Sequence, residues 1–421
     1  MPVTADVSEF QNALDEISKA TKRKTVGLYT LVGAKTFHIL LVTPDGIKSF
    51  DSPITAAAFN QKVLQFYAVL RTPSYDPRPL GKQLYDIILK PLEADLHKAG
   101  AQMLVWALDG NLRYVPMAAL SPDGKGYLVE KYQNAVFTRF NRERMSRPPG
   151  AVWTGTGFGS SKAQRVKLFD REIPFCALPG VTAEMRSIFS DSVLKGAVFA
   201  DSKFTRTTFY EALRAQRPVV HISSHFLFRS GDDSHSFLVL GDGTALTLRE
   251  MKAQGRLFEH VELLTLSACN TGAQRANADG REIDGFAELA QRLGAAAVMA
   301  TLWSVSDSST PSLMRDFYQF RQQRAGITKA EALQEAQLGL LNGTTSVIAP
   351  QASAPCITKG TSDLALRIVR MRSRAQSRSG PQRAEVIYVS PEDAPSFREN
   401  PAKPYAHPYY WSPFVLFGNW R

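Results

Sequence analysis

The sequence predicts an α/β protein in which helices cover both faces of a mostly parallel β-sheet. Two observations lead to this fold class. From about residue 150, short apolar runs such as "PVVHISS" and "ELLTLSA" alternate with amphipathic helical patterns such as "EIDGFAELAQRLG". The strand runs are also apolar almost throughout, which is typical of strands buried on both faces of a parallel sheet.

The chain divides into three predicted parts. Residues 1–22 predict an N-terminal helix. Residues 23–145 begin with β-rich runs, continue with two helical patterns, and end with two predicted strands, "QMLVWALDG" and "YVPMAAL". Residues 146–421 carry the strand–helix alternation and end in a predicted last strand, "YYWSPFVLFGNWR". Within this part, residues 343–405 are rich in Ser, Thr, Pro, Ala and Arg and predict an inserted flexible loop.

Composition limits the class of protein. The longest apolar runs, such as "GAAAVMATLW", are far shorter than the ~20 residues of a membrane helix, and the first ten residues lack the order of a secretory signal. We therefore expect a cytoplasmic protein that does not contact membranes. The three cysteines, Cys176, Cys269 and Cys356, argue against a disulfide framework. No residues have zinc-ligand spacing, so we expect neither a metal nor another cofactor.

Basic residues exceed acidic ones, 50 against 39, and part of the excess is local. Residues 367–383, "RIVRMRSRAQSRSGPQR", contain six arginines and no acid. Such a tract can bind nucleic acid or an acidic partner. It can equally be a solvated loop. No aromatic residues lie between the arginines, which argues against a site that stacks the bases of single-stranded nucleic acid.

Two of the predicted strands end in residues that can react together. "PVVHISSH" ends at His225, and "ELLTLSAC" ends at Cys269. If these strands are neighbours, both residues lie at the carboxyl edge of the sheet, where open α/β sheets bind ligands. An imidazole that takes the proton of a thiol makes it a strong nucleophile. The alternative is that Cys269 is a small apolar residue ending a core strand, and His221, inside the same strand as His225, is better explained as a core group.

The chain also resembles the CHAT family of caspase-like, separase-related cysteine peptidases. An ordered series of segments over most of residues 80–421 carries the resemblance: "LRYVPMAALSPDGKGYLVEKY", "VVHISSHF", "FLVLGDGTALTLREM", "ELLTLSACNTG", "GFAELAQRLGAAAVMATLWSVSD", "LMRDFYQF", "EALQEAQLGLL" and "HPYYWSPFVLFGNWR". The resemblance implies a caspase-like three-layer α/β/α sandwich, preceded by a small β-rich and helical pseudo-domain. It also implies a cysteine endopeptidase that cleaves a specific protein substrate.

The resemblance assigns roles by position. Cys269 matches the nucleophile and His225 the base, and the backbone N–H groups of Phe226 and Cys269 match the oxyanion hole. Trp303, Ser304, Val305 and Asp307 match a segment that borders the substrate groove. Asp307 can face a basic P1 side chain or cap the following helix. The family usually has glycine at position 226, so Phe226 predicts a reshaped groove entrance, a closed free enzyme or a reduced activity.

Partners are implied only through the resemblance. We expect an activating protein partner, such as a helical-repeat or nucleic-acid-containing complex, and a role in bacterial defence. Two alternatives remain open at this point: a catalytically weak caspase-like scaffold, and a regulator that associates with nucleic acid through the arginine tract.

Overall fold

A computed structural model describes most of the chain. The described residues are 3–138, 144, 147–150, 152–168, 171–190, 192–229, 231–267, 281–303, 305, 308–348 and 394–421, with only the main chain described at residues 3–10, 171 and 281–284. Most of the predicted loop 343–405 and all of the arginine tract 367–383 lie outside the described residues.

The first part of the chain forms a β-meander, helices and two further strands. Its elements are α1 (Val3–Thr21), β1 (Thr25–Val32), β2 (Phe37–Thr43), β3 (Gly46–Ser52), α2 (Ala56–Leu70), α3 (Arg78–Ile88), α4 (Glu93–Lys98), β4 (Met103–Ala107) and β5 (Gln133–Val136). The prediction of a strand at "YVPMAAL" is wrong, because this segment lies in the 3₁₀ turns Gly110–Tyr114 and Met117–Ala119. Pro116 between them has no N–H to offer a sheet.

The second part alternates strands and helices, as predicted. Its elements are β6 (Thr154–Gly159), β7 (Gln164–Leu168), β8 (Arg171–Phe175), α5 (Gly180–Ile188), β9 (Lys195–Ala200), α6 (Arg206–Leu213), β10 (Val219–Ser223), β11 (Phe226–Leu227), β12 (Phe237–Val239), β13 (Ala245–Thr247), α7 (Leu248–Ala253), β14 (Leu263–Ser267), α8 (Arg281–Arg292), β15 (Ala297–Thr301), α9 (Thr310–Gln323), α10 (Lys329–Asn342), α11 (Pro408–Trp411) and β16 (Phe414–Gly418). The antiparallel hairpin β7–β8 was not predicted from the sequence.

Over the residues that the structure describes, the large sheet has eleven strands in the order β3-β2-β1-β4-β5-β16-β15-β14-β10-β6-β9. It consists of two parallel blocks, β1-β4-β5-β16 and β15-β14-β10-β6-β9, which meet antiparallel at the β15–β16 pair. Among the described strands of this sheet, the meander β3-β2-β1 adds the remaining antiparallel pairs. The prediction of a mostly parallel sheet is therefore confirmed. The division of the chain into three parts stays a prediction.

Strand β6 shows how helices reach both faces of the sheet. Gly155, Gly157 and Gly159 alternate along one face, and a Cβ placed on Gly157 would come within 2.5 Å of the Phe189 ring just after α5. The glycines therefore let α5 lie close against the strand. On the opposite face, the Phe158 ring packs 4.9 Å from that of Phe209 on α6, measured between ring centroids.

Candidate active site

The sheet places His225 at its carboxyl edge, beside the strand that leads to Cys269. Strands β10 and β14 pair in parallel, and Ser223 lies opposite Ser267 at their ends. The condition set in the sequence analysis, that these two strands are neighbours, is therefore met. His225 follows Ser223 by two positions, and Cys269 follows Ser267 by the same two positions in the sequence. Cys269 itself lies outside the described residues.

The His225 imidazole is buried and hydrogen-bonded. Its Nε2 lies 2.7 Å from the main-chain carbonyl oxygen of Cys176, and its ring packs 5.1 Å from the ring of Phe175. Burial lowers the pKa of His225 below its ordinary value, which the bond to the Cys176 carbonyl only partly opposes. The neutral form is thus favoured near pH 7. Because a carbonyl can only accept, Nε2 carries the proton and Nδ1 keeps a free lone pair.

The loop after the unpredicted hairpin supplies that carbonyl. Val166 of β7 packs with Phe237 and Val239 of β12 in a small apolar cluster, which fixes the hairpin on the sheet β11-β12-β13. Cys176 follows β8 directly and is disulfide-bonded. The sequence analysis argued against a disulfide framework and assigned Cys176 no part in the site. The structure places the Cys176 carbonyl on His225 and shows that its sulfur is disulfide-bonded. Neither contact leaves a spacing signal in a single sequence.

Phe226 lies in an ordinary extended strand, although the family resemblance led us to expect a glycine there. Its backbone φ is not positive, and its ring is 2% exposed, 4.8 Å from the ring of Phe286 on α8. Val239 N–H donates to the His225 carbonyl, which makes Phe226–Leu238 a non-hydrogen-bonded pair. The Phe226 N–H therefore points away from β12, on the open edge of the small sheet.

A buried polar network lies beneath the ends of the two strands. Glu184 of α5 accepts hydrogen bonds from Ser223 Oγ at 2.6 Å and from His221 Nε2 at 3.0 Å. On the other side of the imidazole, His221 Nδ1 lies 3.1 Å from the Tyr318 hydroxyl of α9, which in turn contacts Thr265 Oγ1 at 2.8 Å. The interpretation of His221 as a core group is confirmed.

Sequence analysis missed Glu184, although it left a signal. Glu184 shares the helical spacing of the apolar residues Val181, Met185 and Ile188 and is buried with them. A carboxylate on the apolar face of a helix needs a buried partner. That partner could have been sought on the strand that already carried two histidines.

The predicted groove segment is described only in part. Trp303 is buried, and its indole N–H donates to the Tyr409 carbonyl at 3.2 Å. Val305 is half-buried against the main core. Ser304 and Asp307 lie outside the described residues. The N-cap position of α9 belongs to Ser309, and both roles suggested for Asp307 stay predictions.

Over the described ranges, no helix is long and apolar enough to cross a membrane. In the same part of the chain, no three His, Cys, Asp or Glu side chains come together as a metal site.

The site thus has a neutral histidine at the carboxyl edge of a mostly parallel sheet. The neighbouring strand leads to a cysteine, which is the arrangement of a candidate cysteine–histidine site. The family model of the CHAT domain matches residues 78–419. The chain belongs to the CHAT domain family, as its ordered segments predicted. No curated protein matches the sequence.

Solved structures with a similar fold are distant in sequence. The chain is similar to separase in the separase–securin complex of Saccharomyces cerevisiae, with 9% identity and a TM-score of 0.45, over 77% of this chain and 30% of that one. It is also similar to the Arg-specific cysteine proteinase gingipain R, with 9% identity and a TM-score of 0.39, over 88% of this chain and 68% of that one. The chain thus spans about a third of the separase chain.

Proposed function

We propose that the chain is a cysteine endopeptidase in which Cys269 is the nucleophile and His225 the base. The observation that carries the proposal is the state of His225. Its Nε2–H donates a hydrogen bond to the Cys176 carbonyl, so Nδ1, which carries a lone pair, is the ring atom that can take a proton. The paired ends of β10 and β14 bring this imidazole to the edge at which the chain continues toward Cys269.

Each step of the proposed reaction uses a stated atom. His225 Nδ1 takes the thiol proton of Cys269, and the sulfur attacks the carbonyl carbon of a peptide bond. His225 then gives the proton to the leaving amine, and water hydrolyses the thioester. The developing oxyanion would be held by the N–H groups of Phe226 and Cys269. The outward direction of the Phe226 N–H supports the first of these two donors.

The placement of Phe226 bears on the non-catalytic alternative. That hypothesis rested on the loss of a glycine, which a positive φ or a close backbone approach would require. The extended backbone of Phe226 shows no need for a positive φ, and its ring is packed in the core, so both observations argue against this motive. The activating partner, the role in bacterial defence, the binding of nucleic acid by residues 367–383, and the groove residues Trp303, Ser304, Val305 and Asp307 stay predictions.

A survey of new protein N-termini tests the activity. Reduced wild-type protein, Cys269→Ala and His225→Ala are each incubated with a proteome, and Cys356→Ala is the matched control. We expect the same new N-termini with wild type and Cys356→Ala, and none with the other two variants. Cleavage at unchanged sites by Cys269→Ala would contradict the proposal.

A second measurement needs no substrate. The rate at which iodoacetamide alkylates each cysteine of the reduced protein is followed by mass spectrometry at pH 7. We expect Cys269 to react faster than Cys356 in wild type, and His225→Ala to slow only Cys269, since the imidazole favours its thiolate. Equal rates at Cys269 in both proteins would argue against a Cys269–His225 pair.

A further inference from the structure

An open cavity of about 500 Å³ lies between strand β7 on one side and strand β13 with the start of α7 on the other. Among the described residues that line it, four are basic, namely Arg165, Lys167, Arg206 and Arg249, and one, Glu250, is acidic. The cavity therefore carries an excess of positive charge. A cleft lined by charges of one sign raises the local concentration of ions of the opposite sign.

Glu250 does not neutralise this excess, because its carboxylate is already bonded within the wall. It accepts hydrogen bonds from the Thr247 N–H at 2.8 Å and from the Thr247 hydroxyl at 2.7 Å, and it pairs with Arg206. The guanidinium of Arg206 also donates to the Ala245 carbonyl at 2.8 Å. Arg206 and Glu250 thus form a pair of their own, and the remaining charge belongs to the other three cations.

Those three cations can meet a ligand without losing a strong partner. Arg165 pairs with Glu172 of β8 at 3.3 Å, but both side chains are exposed, at 75% and 56%, and such a pair contributes little. Lys167 and Arg249 are also exposed, and within the described part of the chain neither forms an ion pair. An anion in the cavity would therefore displace water rather than a buried carboxylate.

The size and the lining of the cavity favour a small molecule that carries several phosphate groups. Its volume lies within the range of roughly 300–1,000 Å³ that is usual for small-molecule sites. A guanidinium binds phosphate oxygens through two parallel hydrogen bonds, and a lysine binds them as a point charge. No aromatic side chain is among the described residues that line the cavity, so these walls offer no surface on which a base could stack.

An acidic peptide added as a strand beside β13 fits less well. Val239 and Ala245 face each other in the β12–β13 ladder, and the Leu240 N–H donates to the Thr244 carbonyl at the next position. Val239–Ala245 is therefore a non-hydrogen-bonded pair, and the Ala245 carbonyl points away from β12. Arg206 already donates to this carbonyl, so a peptide that extended the sheet would lose one of its acceptors.

We propose that this cavity binds a compact polyphosphate, which holds hairpin β7–β8 against β13 and α7. Arg165 and Lys167 would bind it from the hairpin, and Arg249 from α7. Because the ligand attracts groups on both walls, its binding free energy would stabilise the contact between them. This second site goes beyond the proposed peptidase function and does not depend on it.

The hairpin that forms one wall of the cavity also leads to the candidate active site. Strand β7 pairs with β8 from Gln164–Phe175 to Leu168–Arg171. The Phe175 ring lies 5.1 Å from the ring of His225, and the carbonyl of the next residue, Cys176, lies 2.7 Å from His225 Nε2. A ligand that holds the hairpin would therefore also hold the acceptor that fixes the His225 imidazole.

Calorimetric titration of the whole protein with inorganic triphosphate tests the site. The double variant Lys167→Ala, Arg249→Ala removes a cation from each wall. The control, Lys195→Ala with Arg214→Ala, removes the same charge from exposed residues that do not line the cavity. We expect the first variant to weaken binding by about tenfold or more and the control by less than about threefold. Equal affinities of the two double variants, or no binding by wild type, would overturn the proposal.

Two other anions test the class of ligand at the same ionic strength. Citrate carries carboxylates on a compact molecule, and hexaglutamate presents them on a peptide. We expect triphosphate to bind more tightly than either. Tighter binding of hexaglutamate would show that the site takes an acidic peptide, and equal binding of citrate would show that it selects charge alone. Either result would overturn the assignment to phosphate.

Hydrogen exchange measures the effect on the hairpin. With saturating triphosphate, the main-chain amides of β7 and β8 should exchange more slowly in wild type, because the bound ligand opposes local opening. The same ligand concentration should slow them less in Lys167→Ala, Arg249→Ala. Unchanged exchange in wild type would overturn the inference that the ligand holds the hairpin. Neither binding nor exchange requires proteolysis, so both results would stand if the proposed function failed.

Discussion

Replacing Glu184 by alanine should lower the free energy of unfolding by about 3–5 kcal/mol. The Glu184 side chain is 3% exposed and accepts two hydrogen bonds, from Ser223 Oγ and His221 Nε2. A hydrogen bond to a carboxylate contributes roughly 1.5–3 kcal/mol, and a buried donor left without its acceptor costs a similar amount. Both donors lie on β10 and are fully buried, so the alanine variant leaves them unsatisfied beneath the candidate site.

Urea denaturation, followed by tryptophan fluorescence, measures this loss. The matched control is Glu172→Ala, which removes a carboxylate from an exposed pair with Arg165 at 3.3 Å. An exposed pair of this kind contributes at most about 1 kcal/mol. We therefore expect a large shift of the midpoint for Glu184→Ala and almost none for Glu172→Ala.

A third variant separates the hydrogen bonds from the space that the side chain fills. Glu184→Gln keeps the volume and one acceptor oxygen, so it should lose less than the alanine variant. If Glu184→Ala cost no more than Glu172→Ala, the network would not stabilise the strand, and the reasoning from its hydrogen bonds would be refuted.

Two further predictions concern a second buried histidine and the residue after His225. His407 donates from Nε2 to the Tyr75 carbonyl, and its Nδ1 accepts from Tyr409 N–H; burial lowers its pKa to about 4. Since this folded value lies below the unfolded one near 6.5, its stabilisation is present above pH 6.5, and about 3 kcal/mol is lost as the pH falls to 4. The difference between the unfolding free energies at pH 7 and pH 4 should therefore be about 3 kcal/mol smaller in His407→Asn than in wild type. An unchanged difference would contradict the view that His407 causes this loss of stability. Phe226→Gly should lower the free energy of unfolding, measured in urea or by heating, by about 3–5 kcal/mol, because it removes a ring packed on Phe286. The control Leu227→Ala changes the half-buried neighbouring residue and should cost less. If Phe226→Gly were as stable as wild type, the ring would not be part of the core.

The sequence determined the fold class and the order of most elements. Apolar residues at helical spacing identify the amphipathic helices, whereas continuous apolar runs of roughly four to eight residues, too short for a helix, identify the buried strands. The same pattern showed that His225 and Cys269 each follow the end of a strand. The pairing of those strands could only be stated as a condition, because the order of strands in a sheet is a long-range property.

The tertiary structure decided what surrounds His225. The register of Ser223 with Ser267, the Cys176 carbonyl on Nε2 and the buried bond of His221 to Glu184 all join residues that are far apart in the chain. The protonation state of His225 follows from its burial and from the Cys176 contact. The direction of the Phe226 N–H follows from the bond of Val239 N–H to the His225 carbonyl. A sequence specifies which groups can react. Their protonation states depend on burial and hydrogen bonding, which exist only after folding.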